Sequence, residues 1–455
     1  MAAMDAGHTR NGMKRIRTSF IALPLILTLL WWLADPVALF ATSGFFPWRS
    51  LFVQYSGILA FGSMTAAIVL AARSGWIENR LGGLDKMYRL HKWLGIAALV
   101  LAVLHWLGAQ GPKWLVGAGL IERPARGAPV EQTVAVFTFL QSQRGFAEQL
   151  GEWAFYAAAL LIFMALVKWF PYKYFFKLHR LLAAAYLVLV VHAVFLLRFD
   201  YWTSPLGVAM AAMAVAGSTA ALMALFGHIG ARRRVVGLVE EVDYLSGVGV
   251  NRIIVWVDNR WGDHAAGQFA FVTFDPEEGP HPFTIASNWE GDGRLAFFVK
   301  GLGDYTKTLS STLKRGDMAI VEGPYGRFNF EGDTNRQIWV GAGIGITPFI
   351  GRMQTLAGAP DGRTIDFFHT TADVDEDALN ALRADAKAAG IRLHILIDSR
   401  DGFLTGERLR QTVPDWLSAD IWFCGPAGFG DAIRRDLVAH GLEPGRFHQE
   451  LFAMR

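Results

Sequence analysis

Carboxylates are scarce in the first half of this chain and abundant in the second. Nine of its 40 acidic residues precede Ala231 and 31 follow it. Only 18% of all residues are charged and 53% are hydrophobic, so one half is suited to lipid and the other to water. Six apolar stretches approach or reach the ~20 residues that cross a bilayer. They are Ser19–Trp32 with its extension Pro36–Phe40, Val53–Ala72, Leu90–Ala109, Glu152–Phe170, Leu178–Leu197 and Pro205–Phe226. Asp35 and Pro36 interrupt the first, where a cleaved signal peptide is the competing reading, but no small-residue cleavage pattern follows its apolar core.

Lys and Arg set the expected orientation. They gather before the first span (Lys14, Arg15, Arg17), between the second and third, between the fourth and fifth, and after the sixth (Arg232, Arg233, Arg234). With six crossings, all four clusters fall on one side. The expectation is a multi-pass protein of the plasma membrane, with both termini and the soluble half in the cytoplasm. Basic residues in the outer loop 110–149 weaken this asymmetry without reversing it. A net charge of +3, dispersed along the chain, gives no reason to expect nucleic acid. The single cysteine, Cys424, excludes an internal disulfide framework and any cluster held by several thiolates.

Histidine is rare inside transmembrane helices because its ring needs a partner there. The third span carries His91 and His105, and the fifth carries His179 and His192. These spans run in the same direction, so the four rings fall at two depths with one ring per helix at each. Separations of 14 and 13 residues are about 20 Å along a helix. That arrangement suits two haem irons, each with an axial imidazole above and below. The bland alternative is four core histidines that hydrogen-bond across the bundle. One shared metal ion is excluded, because ligands ~20 Å apart cannot meet. Four turns take about 14.4 residues, so the 13-residue spacing is out of phase and requires a bend or differently facing haems. Arg49 opens the second span, either as a snorkelling anchor or as a cation near the outer haem.

Beyond Val235 the pattern changes to short apolar runs separated by turn residues. Val235–Val242, Asn251–Val257, Gln268–Phe274, Phe283–Ala286, Leu295–Val299 and Met318–Val321 predict a small antiparallel barrel. After Arg336, strands alternate with helices, which predicts a doubly wound parallel sheet. The glycine turn Gly341-Ala-Gly-Ile-Gly-Ile-Thr-Pro348 follows a strand and opens a helix, where backbone N–H groups can approach a pyrophosphate. His281-Pro-Phe-Thr-Ile-Ala-Ser287 lies on a barrel strand, with Gly301-Leu-Gly-Asp-Tyr-Thr306 one strand later. Cys424-Gly-Pro426 ends the last parallel strand, where ligands collect in open α/β sheets. Each of these last three has a purely structural alternative: an edge strand, a loop, an inert packed thiol.

Together the motifs resemble the transmembrane ferric reductase and NADPH oxidase superfamily. The resemblance implies a six-helix transmembrane di-haem domain over 1–230, an FAD-binding antiparallel β-barrel over 231–334 and a doubly wound α/β NAD(P)-binding domain over 335–455. It implies that Thr284 touches the flavin near N5, that His281, Pro282 and Phe283 hold the flavin, and that Ser287, Gly303 and Thr306 approach the FAD phosphates. Gly341, Gly343 and Gly345 would hold the nicotinamide nucleotide's pyrophosphate, with Thr347, Pro348, Cys424, Gly425 and Pro426 around the hydride-transfer pocket. Ser399-Arg400 resembles a 2′-phosphate-binding pair and favours NADPH over NADH. Phe452 is the nearest candidate for the aromatic that stacks on the flavin.

The implied activity is an NAD(P)H-dependent flavocytochrome carrying electrons through FAD and two b-type haems (His91/His179, then His105/His192) to an acceptor outside. Ala109 stands where the superoxide-forming animal oxidases would carry a second histidine, so a ferric chelate ranks ahead of oxygen. An oxidase releasing superoxide and an electron-transfer subunit for a protein or quinone partner are the rivals. A transporter with a nucleotide-sensing domain is a third.

Overall fold

A computed structural model of the protein describes residues 12–122, 134–167, 170–332 and 334–450. The chain divides into a membrane unit, Met13–Leu81 with Lys86–Ile229, and a second unit built mainly from Gly230–Met454.

Among the described residues, six helical spans are long and apolar enough to cross a membrane. They are Met13–Ala34, Phe45–Ala71, Leu84–Gly117, Arg144–Leu166, Tyr172–Leu196 and Pro205–Leu225. All six expected spans are present, and the first continues to Ala34 before Asp35 and Pro36 end it. Spans one, two, five and six share a core that includes Leu27, Trp31, Phe61, Tyr186 and Met210. In this core the Tyr186 hydroxyl meets Thr65 Oγ1 at 2.8 Å. Gly217 makes room for it, since a Cβ there would stand 1.9 Å from the Tyr186 oxygen. A buried hydroxyl without such a partner costs about 1–3 kcal/mol, so the pair also fixes how the helices meet. In the outer loop, Ala135–Ser142 forms a short helix.

The third span runs unbroken past His91 and His105. The fifth does not: helix Tyr172–His179 ends at the first histidine and helix Leu181–Leu196 carries the second. Between them the Ala183 N–H donates to Arg180 O, three residues back, at 3.0 Å. A tightened turn of this kind adds about 20° of rotation per residue. It takes up part of the phase error that the 13-residue spacing creates.

In the second unit, six strands form an antiparallel sheet: β1 (Arg234–Leu245), β2 (Val250–Val257), β3 (Phe269–Thr273), β4 (His281–Thr284), β5 (Arg294–Lys300) and β6 (Met318–Tyr325). Their order is β4-β3-β6-β1-β2-β5. Among the described residues no closed barrel forms, although a single bridge, Ile285 to Phe297, joins the two edges just past β4. β4 holds the His-Pro-Phe-Thr segment expected on a strand and starts two residues before the apolar run Phe283–Ala286. His281 and Pro282 are paired with β3, so the whole His-Pro-Phe-Thr segment is strand. Alternation drives the packing: Val235, Val239, Ile253, Val255, Leu295 and Phe297 point to one side and are buried.

Five parallel strands follow: β7 (Arg336–Ala342), β8 (Thr364–Thr371), β9 (Arg392–Ile397), β10 (Asp420–Cys424) and β11 (Phe447–Gln449). Their order, β11-β10-β7-β8-β9, places the topological switch between β7 and β10. Trp339 and Trp422 lie side by side in register on these two strands, fully buried. Truncating either to Ala is expected to cost about 3–5 kcal/mol. At the opposite, N-terminal edge, buried Asp366 receives Arg336, Arg392 and His394. Burial alone would raise its pKa; these three partners more than offset that and hold the carboxyl below its ordinary range. This ionic knot ties β7, β8 and β9 at the end away from the glycine turn.

Candidate functional site

The four membrane histidines meet in two pairs. His91 and His179 have ring centroids 5.9 Å apart, and His105 and His192 have theirs 6.2 Å apart. Two imidazoles on opposite sides of one octahedral metal place their centroids about 6.3 Å apart, from metal–nitrogen bonds of about 2 Å and the ring radius. A direct ring-to-ring hydrogen bond would bring them nearer, to about 5 Å. Both pairs therefore fit shared axial ligation and not a bridging hydrogen bond.

Backbone carbonyls orient three of the rings. His91 Nδ1 bonds Ala67 O at 2.8 Å, His105 Nδ1 bonds Val53 O at 2.9 Å and His192 Nδ1 bonds Ala147 O at 2.9 Å. A carbonyl can only accept, so each Nδ1 carries the proton and Nε2 is left as the donor atom for a metal. Spans two and four supply these carbonyls, so the two helices that carry the histidines do not define the site alone. His179 is different: its Nδ1 is buried and has no hydrogen-bond partner among the described residues.

Glycine provides the space beside the second pair. A Cβ on Gly151 would stand 1.8 Å from His192 Nδ1, and one on Gly57 would stand 3.1 Å from His105 Nδ1. At Gly95, one turn past His91, an added Cβ would meet nothing within 4 Å.

Arg49 is held by the backbone of span three, one turn past His105. Its Nε donates to Gly108 O at 3.0 Å and its Nη2 to Ala109 O at 2.9 Å. The reason lies one turn on, at Pro112 inside the third span. Proline has no N–H, so the Gly108 carbonyl loses its helical partner. Arg49 replaces that bond. One turn further along span two, the Val53 carbonyl holds His105, so two points on span two fix the helix segment that carries this histidine.

In the second unit, Thr284 is buried at the end of β4, while His281, Pro282 and Phe283 are half-buried along it. The His281 ring packs on Tyr305 (5.0 Å) and lies parallel to Phe283 (6.2 Å, 11°). Burial pushes its pKa down, only partly countered by the bond to Gly279 O, so this imidazole is neutral at physiological pH. Ser287 Oγ accepts from Ala296 N at 3.1 Å. Thr306 Oγ1 accepts from the N–H groups of Leu302 and Gly303 at 3.1 and 3.0 Å, which shapes the loop entering helix Asp304–Thr312.

The glycine turn and the Cys-Gly-Pro turn touch at the switch point. A Cβ on Gly345 would stand 2.2 Å from Cys424 O. Gly343 has φ +54, a left-handed conformation that glycine adopts freely. Thr347 and Pro348 are buried at the start of helix Thr347–Gly358, while Pro426 is exposed and Gly425 half-buried. Cys424 is 2% exposed. Burial, and then the nearby Glu450 carboxylate, push its thiol well above the ordinary range, so it stays protonated and a poor nucleophile. Nothing in the sequence around Cys424 points to Glu450, because only the fold brings the chain's end back to the thiol. Ser399 and Arg400 sit on a four-residue helix, Asp398–Asp401, and Arg400 pairs with its neighbour Asp401 at 3.0 Å. Phe452 lies outside the described residues.

Comparison with known proteins gives two domain matches: a ferric reductase like transmembrane component over residues 56–190 and an FAD-binding domain over 250–329. Together they match the ferric reductase and NADPH oxidase superfamily. Curated relatives include a glycine betaine monooxygenase reductase subunit of Chromohalobacter salexigens, 26% identical over 214 residues (41% of this chain, 55% of the relative). A flavohemoprotein of Bordetella pertussis is 28% identical over 216 residues (42% and 53%). The chain spans about half the length of these relatives. Among solved structures, the FAD/NAD-binding domain of a Vibrio cholerae nitric oxide dioxygenase is 20% identical, covering 48% of this chain and 97% of that one, with a TM-score of 0.41.

Proposed function

We propose that the chain is a transmembrane flavocytochrome b: an NAD(P)H-dependent oxidoreductase passing electrons from cytoplasmic NADPH, by way of FAD and two haems, to a ferric chelate on the far side of the membrane. The observation that carries this reading is the pairing of four membrane histidines at two levels, each pair spaced for one metal between its rings. The same chain matches an FAD-binding domain. Bound flavin accepts a hydride and gives up single electrons, and haem iron takes them one at a time.

The chain's own groups bind and orient. His91 with His179, and His105 with His192, would hold the two irons through Nε2. Thr284 would meet the flavin near N5, with His281, Pro282 and Phe283 along the ring and Ser287, Gly303 and Thr306 toward the phosphates. Gly341, Gly343 and Gly345 would admit the nucleotide's pyrophosphate to the positive end of helix Thr347–Gly358. Thr347, Pro348, Gly425 and Pro426 would shape the nicotinamide pocket, and the protonated Cys424 would keep water and negative charge out of it. Arg400 and Ser399 would take the 2′-phosphate of NADPH, with that phosphate competing against Asp401 for the guanidinium. In this reading the domains divide at residues 230 and 334, with the second unit cytoplasmic.

Ala109 bears on the acceptor. It offers no second imidazole beside His105, and its carbonyl is engaged by Arg49. In vesicles holding the full chain and given NADPH, ferric-chelate reduction is expected to exceed superoxide-dependent dye reduction by at least about tenfold, a barrier difference of about 1.4 kcal/mol. The reverse ratio would identify oxygen as the acceptor.

A further inference from the structure

An antiparallel sheet with one face on its core normally turns polar side chains to water on the other. Three adjacent strands here depart from that rule. The register sets Met318 of β6 beside Leu238 of β1, and Leu238 beside Trp256 of β2. Val236 stands two residues along β1 on the same face. These side chains are 69% (Met318), 45% (Leu238), 40% (Trp256) and 50% (Val236) exposed. Together they present roughly 400 Å² of contiguous apolar surface, the size at which a surface patch on a single protein usually has a function.

The surroundings indicate what covers it. Arg232 precedes β1, and Lys314 and Arg315 lie in the turn leading to Met318; all three are exposed, and among the described residues none has an ion-pair partner. Among the nearby carboxylates, Glu240 pairs with Arg294 and Glu241 with Arg252, while Asp317 accepts from the Lys314 N–H and keeps its charge. The patch is therefore edged by three cations that no ion pair engages. Trp, Met and Leu with cations around them form the composition of a surface that lies in a lipid headgroup layer. β1 also opens only nine residues past Leu225, the last residue of the sixth span, so lipid is always within reach at high effective concentration. A second copy of the chain fits less well, because the patch offers about half of the ~800 Å² per partner that a stable protein interface uses.

We propose that this face of the FAD-type sheet docks onto the membrane surface, taking anionic lipid headgroups at Arg232, Lys314 and Arg315 and seating Met318, Leu238 and Trp256 among them. The proposal goes beyond the electron-transfer reading and stands without it.

Cys424 is buried, so a cysteine introduced on this face can be labelled selectively, with the unsubstituted protein as the blank. Full-length Met318→Cys, carrying an environment-sensitive dye, would be reconstituted in nanodiscs of phosphatidylcholine with phosphatidylserine and a lipid spin-labelled near its headgroup. Docking is expected to shift emission to the blue and give about threefold quenching by the spin label, as for a group seated at the interface. Lys314→Glu with Arg315→Glu, or high salt, should reverse both changes. Leu238→Cys should report the same, which guards against a local fault at Met318. Water-like emission without quenching at both positions would overturn the proposal. Blue-shifted emission that the lipid quencher does not reach would also overturn it: dilution-dependent emission would assign the face to a second copy, and dilution-independent emission would assign it to the protein itself.

Discussion

Gly151→Ala is expected to remove one haem and leave the other. The added methyl would stand 1.8 Å from His192 Nδ1, 2.5 Å from Cγ and 2.4 Å from Cε1, inside the ring's own volume. His192 cannot turn aside cheaply, because Nδ1 is bonded to Ala147 O on the same helix as Gly151. Either that bond breaks and the ring leaves its partner His105, or spans four and five separate. Overpacking of this kind costs about 1–3 kcal/mol even where side chains can adjust. Haem extracted per protein should fall from about two to about one, with the remaining absorbance belonging to the His91/His179 site. FAD content should not change. A variant retaining both haems would mean that His192 is not an axial ligand. Gly57→Ala, at 3.1 Å from His105, is the milder companion and should weaken the site without abolishing it.

Gly345→Ala is expected to weaken nucleotide binding while sparing FAD. The three atoms nearest its methyl would all be backbone: Cys424 O at 2.2 Å, Cys424 C at 2.6 Å and Gly425 N at 2.9 Å. No side chain can swing away, so the two turns at the switch point must part. The pyrophosphate would then lose the close backbone approach that the glycine turn provides. NADPH affinity should fall by at least about tenfold, or 1.4 kcal/mol, measured by titration against the flavin's charge-transfer or fluorescence signal. Unchanged affinity would show that the nucleotide does not rely on the contact between these turns.

The spans and the histidine levels are legible in the sequence for a simple reason. Bilayer thickness sets helix length, and a polar ring in lipid stands out against its neighbours. The Gly341–Pro348 and Cys424–Pro426 turns are legible because strand ends and glycine spacing are local. What stays hidden depends on which elements touch. Gly151 and His192 lie on different spans, and nothing in either helix alone announces their contact. Pro112 is visible but its consequence is not, since Arg49 is 63 residues earlier in the chain. The 13-residue spacing does signal a distortion, and the structure puts part of it in the tightened turn after His179. Glu450 escapes a sequence reading because its proximity to Cys424 arises only when β11 closes the sheet's edge beside β10.

The central claim is that the histidine pairs and the FAD-type unit form one electron path. The direct measurement is an anaerobic absorption spectrum of the purified full-length protein before and after adding NADPH. The oxidised protein is expected to show the Soret band of six-coordinate b-type haem, with content near two haems per chain. NADPH should then bleach the flavin and bring up the sharp α and β bands of reduced haem. A protein with no haem bands, or with haem bands that dithionite reduces and NADPH does not, would contradict the account.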